Sequence, residues 1–139
     1  MWKQLTCAAV LGLAAAGAPA RAQDPAAVAG VWLTESGDTR VRMQKCGDTW
    51  CGVIVWTRIG DRDVNNQDPT LRNRPLVGLQ MITGTPDPAS GGFSGKLYNL
   101  LDGKTYSGKL QLTGPNTLKL TGCVLGGLIC RSQTWTRVR

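Results

Sequence analysis

Arg40-Val41-Arg42-Met43-Gln44-Lys45-Cys46-Gly47-Asp48-Thr49-Trp50-Cys51-Gly52-Val53-Ile54-Val55-Trp56-Thr57 reads as two strands and the turn between them. From Arg40 to Lys45 polar and apolar residues alternate. That is the two-residue period of a half-buried strand, whose successive side chains leave opposite faces of the pleat. Gly52 to Thr57 is dominated by β-branched and aromatic residues, which fit a pleated surface better than a helix. Gly47-Asp48 supplies turn chemistry between them.

The same grammar extends in both directions. Upstream, Asp24 to Ala29 suits a single helical turn, and Val31-Trp32-Leu33-Thr34 is a first β-prone run. Downstream, residues 76–82 make another run, with Gly78 as a bulge or close approach. Residues 95–99 and 105–112 flank Asp102-Gly103, a hairpin signal. Residues 117–121 follow Gly114-Pro115-Asn116, and residues 132–138 close the chain. No segment holds a helical period. The expected fold is all-β: a single small antiparallel β-barrel of about eight strands over residues 23–139. A closed barrel is preferred because pairing the first strand with the last removes exposed edges. Trp32 and Arg137 suit that closure, the guanidinium covering the indole at the rim. The alternative is an ordinary core tryptophan and a surface arginine.

The N-terminus predicts export. Lys3 precedes an apolar stretch from Leu5 to Ala16, too short for the roughly 20 residues that span a bilayer. Ala20-Arg21-Ala22 then places small residues at the −3 and −1 positions. Residues 1–22 therefore read as a secretory signal peptide, cleaved before Gln23. Cys7 lies inside that leader and not at its end, against a lipoprotein signal. The whole chain has a net charge of +7. Loss of Lys3 and Arg21 leaves +5 on scattered basic residues, which suits loose association with an anionic envelope component but does not read as a nucleic-acid patch.

Of five cysteines, four remain after the leader, in two close pairs. An even count in an exported domain argues for disulfides. Four cysteines allow three connectivities. Local pairing, Cys46–Cys51 and Cys123–Cys130, fits best because each pair brackets turn-forming residues. If Gly126-Gly127 is a two-residue turn, Cys123 and Cys130 stand opposite each other. A zinc site is disfavoured: the chain has no histidine and neither spacing is the usual one.

Taken together, Cys46-Gly47-Asp48-Thr49-Trp50-Cys51-Gly52, Leu71-Arg72-Asn73-Arg74-Pro75-Leu76-Val77-Gly78, Asp102-Gly103-Lys104-Thr105-Tyr106-Ser107-Gly108 and Gln133-Thr134-Trp135-Thr136-Arg137 resemble the bacterial domain of unknown function 2147 family. The resemblance implies a small exported domain standing alone behind a signal peptide, and no established activity. Gly30-x-Trp32 with the late Arg137 is also similar to the structural signature of lipocalins and their calycin relatives. Cys123 and Cys130 depart from the smooth, glycine-rich connection of the first family, so the second disulfide would be a feature of this chain.

The residue inventory weighs against catalysis. Histidine is absent, glutamate occurs once at Glu35, and the serines have no visible base nearby. Asp61-x-Asp63-x-Asn65 begins like a calcium loop, but Asn66 replaces the glycine and Arg72 the bidentate glutamate. No metal and no cofactor is expected. Residues 58–74 read as a solvated polar loop held by Asx-turns and Asp–Arg pairs. Arg72 and Arg74, one residue apart before Pro75, could share a face and clamp an anionic group. Their alternative is pairing with Asp61, Asp63 or Asp68. Trp56, Tyr98 and Tyr106 are the aromatic candidates for a pocket.

The leading expectation is a non-enzymatic periplasmic or secreted barrel, monomeric and not membrane-spanning. It would bind a small amphipathic or apolar ligand, with arginines at its rim. The alternatives are an envelope protein- or cell-wall-polymer-binding domain with a filled barrel, and an aspartate-based hydrolase. N-terminal sequencing of the exported protein is expected to begin at Gln23; retention of Met1 in the envelope fraction would refute the leader.

Overall fold

The computed structural model describes Gly12 and residues 24–139 of the 139-residue chain. Gly12 apart, the expected leader and its cleavage point lie outside the described residues. Alternation in the sequence becomes eight strands: β1 (Gly30–Leu33), β2 (Thr39–Cys46), β3 (Thr49–Thr57), β4 (Gln80–Asp87), β5 (Gly92–Tyr98), β6 (Thr105–Gly114), β7 (Thr117–Val124) and β8 (Ile129–Arg137). Each pairs antiparallel with the next, and β8 returns to β1 to close the barrel. In β2, Thr39, Val41 and Met43 are buried while Arg40, Arg42 and Gln44 face water.

One half of the barrel is filled. Trp32, Val41, Met43, Trp50, Phe93, Leu110 and Leu118 belong to one buried cluster. Within it, the Trp50 and Phe93 rings meet edge-to-face at 5.9 Å, a favoured geometry for aromatic quadrupoles. A 3₁₀ turn, Pro25–Val28, capped by Asp24, drives Val28 into the same cluster.

The closing seam is short. β1 meets β8 through Trp32↔Arg137 and Leu33↔Thr136, whereas β2 and β3 are paired along their full length. Side chains reinforce it. The Arg137 guanidinium lies over the Trp32 ring at 4.3 Å. Its Nη1 donates to the Ala29 carbonyl at 2.7 Å, its Nη2 to Ala27 at 2.7 Å and its Nε to Pro115 at 3.1 Å. Trp32 Nε1 donates to the Val28 carbonyl at 2.9 Å. One fork thus ties the last strand, the first strand, the N-terminal turn and the β6–β7 connection together.

Both local disulfides are present, with Cα–Cα separations of 5.8 Å for Cys46–Cys51 and 4.1 Å for Cys123–Cys130. Cys123 and Cys130 do oppose each other in register. They do so without a two-residue turn at Gly126-Gly127: pairing ends at Val124↔Ile129, and Leu125–Gly127 forms a 3₁₀ turn.

The fourth strand also differs from its sequence reading. The apolar run Leu76 to Leu79 is not strand; Leu76 is buried against Ile54 and Leu100 in a second small core, and Gly78 takes φ +92°. β4 begins at Gln80 and continues through Gly84-Thr85-Pro86-Asp87. Pairing with β3 stops at Trp50↔Gly84, while pairing with β5 runs on to Asp87↔Gly92. Pro86 therefore sits where the strand has one neighbour, the position a strand proline tolerates.

Arg137→Ala is expected to destabilise the protein by about 1.5–3 kcal/mol in denaturant titration, since charge-assisted bonds and a cation–π contact are lost together. Arg137→Lys should restore less than half, because an ammonium cannot reproduce the planar fork. A loss too small to measure would show that the seam does not depend on Arg137.

Candidate functional site

The other half of the barrel is open. A cavity of about 760 Å³ runs from the end carrying the 34–38, 58–79, 99–104 and 125–128 connections inward to Trp135, Leu120 and Ile82. Its volume lies within the range of small-molecule sites, about 300–1,000 Å³. β8 shows how the sequence makes it. Ile129, Arg131, Gln133 and Trp135 alternate along one face and all line the cavity. Trp135 is buried at the bottom, whereas Gln133, Arg131 and Ile129 are exposed toward the mouth. On β7, Gly122 leaves space beside Tyr106 and Leu97; a Cβ there would meet them at 3.6 and 3.9 Å, ordinary contact distances.

The walls are apolar (Met81, Ile82, Leu97, Leu100, Leu120, Trp135), and polar groups collect nearer the mouth. Gln133 Oε1 accepts from Trp135 Nε1 at 2.7 Å. The Tyr106 hydroxyl donates to Asp102; that bond, with burial and the carboxylate charge, raises the Tyr106 phenol above its ordinary value, opposed by Arg131. Glu35 accepts from the Thr134 backbone N–H at 3.0 Å. Lys104 and Arg131 are the cationic lining residues.

The segment between β3 and β4 braces the mouth. Asp63 is fully buried and accepts from Tyr98 Oη at 2.7 Å, Arg74 Nε at 2.8 Å and Asn66 Nδ2 at 2.9 Å. Burial alone would raise the Asp63 carboxyl; the three bonds and the guanidinium charge outweigh it and hold the group below 3.8. Burial, and then the Asp63 bond and charge, push the Tyr98 phenol up to about 12. Asn65 Nδ2 reaches the Leu100 carbonyl at 3.1 Å, and Gly103, at φ +68°, packs so closely on Asn65 that a Cβ would overlap its carbonyl. Residues 58–74 are thus the mostly exposed loop expected, held by Asx-type bonds at Asn66 and Asp68 and by the Arg74–Asp63 pair, except that Asp63 and Asn66 are buried within it.

Of the expected pocket residues, Tyr98 and Tyr106 line the cavity; Arg72, Arg74 and Trp56 do not. The two arginine forks do not converge. Arg72 is the helical C-cap of the 3₁₀ turn Pro69–Leu71 and donates Nε to the Asn66 carbonyl at 2.8 Å. Arg74 pairs with Asp63 and lies 5.6 Å over the Tyr98 ring. Trp56 is exposed on the outer wall, with the Arg40 guanidinium 5.1 Å over its ring. The cavity residues missed in sequence, Gly122, Arg131 and Gln133, carried one usable signal: inward positions of a barrel strand that turn from apolar to polar toward one end.

A closed eight-stranded barrel with an open, mainly apolar interior places the chain in the lipocalin-like class of folds. It belongs to the bacterial domain of unknown function 2147 family: the family model, described as "Uncharacterized protein conserved in bacteria", matches residues 30–137. Protein HP1028 of Helicobacter pylori, described as belonging to the lipocalin family, is similar in structure, with a TM-score of 0.70 and 22% identity over 81% of this chain and 83% of that one. No curated protein matches the chain.

The Asp63–Tyr98 pair gives stability a two-sided pH dependence. The depressed Asp63 contributes above its unfolded value near 3.8, and that contribution is lost as pH falls through its lower folded value. Tyr98 contributes below its unfolded value of 10.0 and loses its share as pH rises toward about 12. Thermal unfolding against pH is expected to show a plateau falling off on both sides. Asp63→Asn should lower the plateau, and its gap from wild type should narrow below about pH 4. A gap constant across pH would contradict this.

Proposed function

We propose that this is a non-enzymatic, exported binding protein of the bacterial periplasm that holds one small amphipathic or apolar ligand in the barrel. The observation that carries the reading is the half-filled interior. Trp32, Met43, Trp50 and Phe93 fill one end, while the cavity of about 760 Å³ keeps apolar walls open to the other. An apolar surface left uncovered forgoes burial worth about 25 cal/mol per Å², which an apolar ligand body would recover. Two disulfides within a bacterial family fit an oxidising compartment.

The ligand body would lie against Trp135, Leu120 and Ile82, with its polar end at Tyr106, Gln133, Arg131 and Lys104. An anionic group suits the two cations, Arg131 offering a bidentate fork. Arg72 and Arg74 would act indirectly, by fixing residues 58–79 and thereby Tyr98 at the mouth. Brace and cavity wall share that one side chain.

Anilinonaphthalene sulfonate, an apolar ring system bearing one anion, is a suitable probe. It is expected to bind one-to-one and to quench Trp135 by energy transfer. Gly122→Leu should weaken that binding at an unchanged melting temperature by narrowing the cavity beside Tyr106 and Leu97. Arg131→Ala should weaken it about tenfold, the value of one lost charge-assisted bond. Unsaturable binding, or equal binding by Gly122→Leu, would overturn the proposal.

A further inference from the structure

The closed barrel keeps one stretch of free edge. β1 pairs with β8 only through Trp32↔Arg137 and Leu33↔Thr136. Beyond Leu33 the chain folds back on itself: the Gly37 N–H donates to the Thr34 carbonyl and the Thr34 N–H to the Thr39 carbonyl. β8 nevertheless extends to Ile129 and stays paired with β7 as far as Val124↔Ile129. Residues 129–134 are all exposed, and their strand has a neighbour on one side only.

The register says which backbone groups are free. The Arg137 N–H bonds on the β7 side, at Asn116, and the Val138 N–H on the β1 side, at Val31. These directions alternate along a strand, so odd residues of β8 turn to β7 while Cys130, Ser132 and Thr134 turn to the open edge. Two side-chain links agree, the Cys123–Cys130 disulfide and the Thr121–Ser132 hydroxyl bond at 2.9 Å. Both bridge close pairs that exchange no backbone bonds. Glu35 takes the Thr134 N–H at 3.0 Å. Among the described residues, nothing takes the N–H or C=O groups of Cys130 and Ser132.

The same strand lines the cavity through Ile129, Arg131 and Gln133. A strand added at the open edge would share that face, every second side chain entering the barrel. The walls it would meet there include Ile82, Leu120 and Trp135. The mouth carries both signs, Glu35, Asp38 and Asp102 beside Lys104 and Arg131, which suits a neutral main chain bearing donors and acceptors. Free backbone groups give affinity to an added strand, and space for alternate side chains gives it specificity.

We propose that the amphipathic ligand is a short extended peptide, added antiparallel to β8 at residues 129–133, with alternate apolar side chains in the cavity. This rests on the binding reading above and names the class of its ligand. Every pair of neighbouring strands in the barrel is already antiparallel. The peptide residue opposite Ser132 exchanges two bonds with it and keeps its side chain outside. Its neighbours, opposite Arg131 and Gln133, enter the cavity. Glu35, holding Thr134, marks where the added strand ends.

Fluorescence anisotropy with a labelled, capped seven-residue peptide alternating serine and leucine tests it. The peptide is expected to bind one-to-one and to displace anilinonaphthalene sulfonate. N-methylation at its serines, whose N–H groups face β8, should weaken binding at least about tenfold; N-methylation at its leucines, whose N–H groups face away, should not. Ser132→Pro should weaken binding similarly at a little-changed melting temperature, since that N–H serves only the open edge. If the sulfonate binds and the peptide does not, the strand is overturned and the cavity reading stands; failure of both probes overturns both. Equal binding of the two methylated peptides, or undiminished binding by Ser132→Pro, would also overturn the proposal.

Discussion

The barrel closes across two residue pairs, and everything else depends on that seam. Seven hairpin-type connections bring the strands side by side, but an open eight-stranded sheet would expose two edges and lose its interior. β1 has only four residues, and only Trp32 and Leu33 pair with β8. Arg137 compensates by being multivalent. Its fork takes the carbonyls of Ala27, Ala29 and Pro115 while its face covers Trp32. Those carbonyls lie at an end where no further strand pairs, so one side chain both bonds them and closes the wall.

Sealing one end leaves the other free to open. Core residues concentrate toward the closed end, and the inward faces of β6, β7 and β8 thin to glycine or turn polar toward the mouth. Tyr98 joins the two regions: its ring lines the cavity and its hydroxyl is fixed by Asp63, which Arg74 and Asn66 hold in turn. A buried carboxylate with three donors is a rigid strut, costly to break because removing one partner strands a charge away from water. The 58–79 segment is therefore architecture for the mouth.

Much of this was legible in the residues. Alternation over Arg40–Lys45, the Asp102-Gly103 turn and the paired cysteines carry local information, and each appears where local chemistry puts it. The failures share a cause: they depended on distant partners. Leu76 to Leu79 looks like a strand because it is apolar, but its burial partners are Ile54 and Leu100. Arg72 and Arg74 look like a clamp if their segment is extended; a 3₁₀ turn at Pro69–Leu71 aims them at different acceptors. Arg131 and Gln133 face inward only because the barrel closes, which no local pattern announces.

If the open half of the barrel holds a ligand in the cell, native mass spectrometry of the protein purified gently from the cells that make it will detect it. A one-to-one adduct of small-molecule mass is expected, released by organic extraction and leaving the two disulfides intact. A bare polypeptide mass under conditions that preserve known non-covalent complexes, together with a purified protein that takes up no apolar probe, would contradict it.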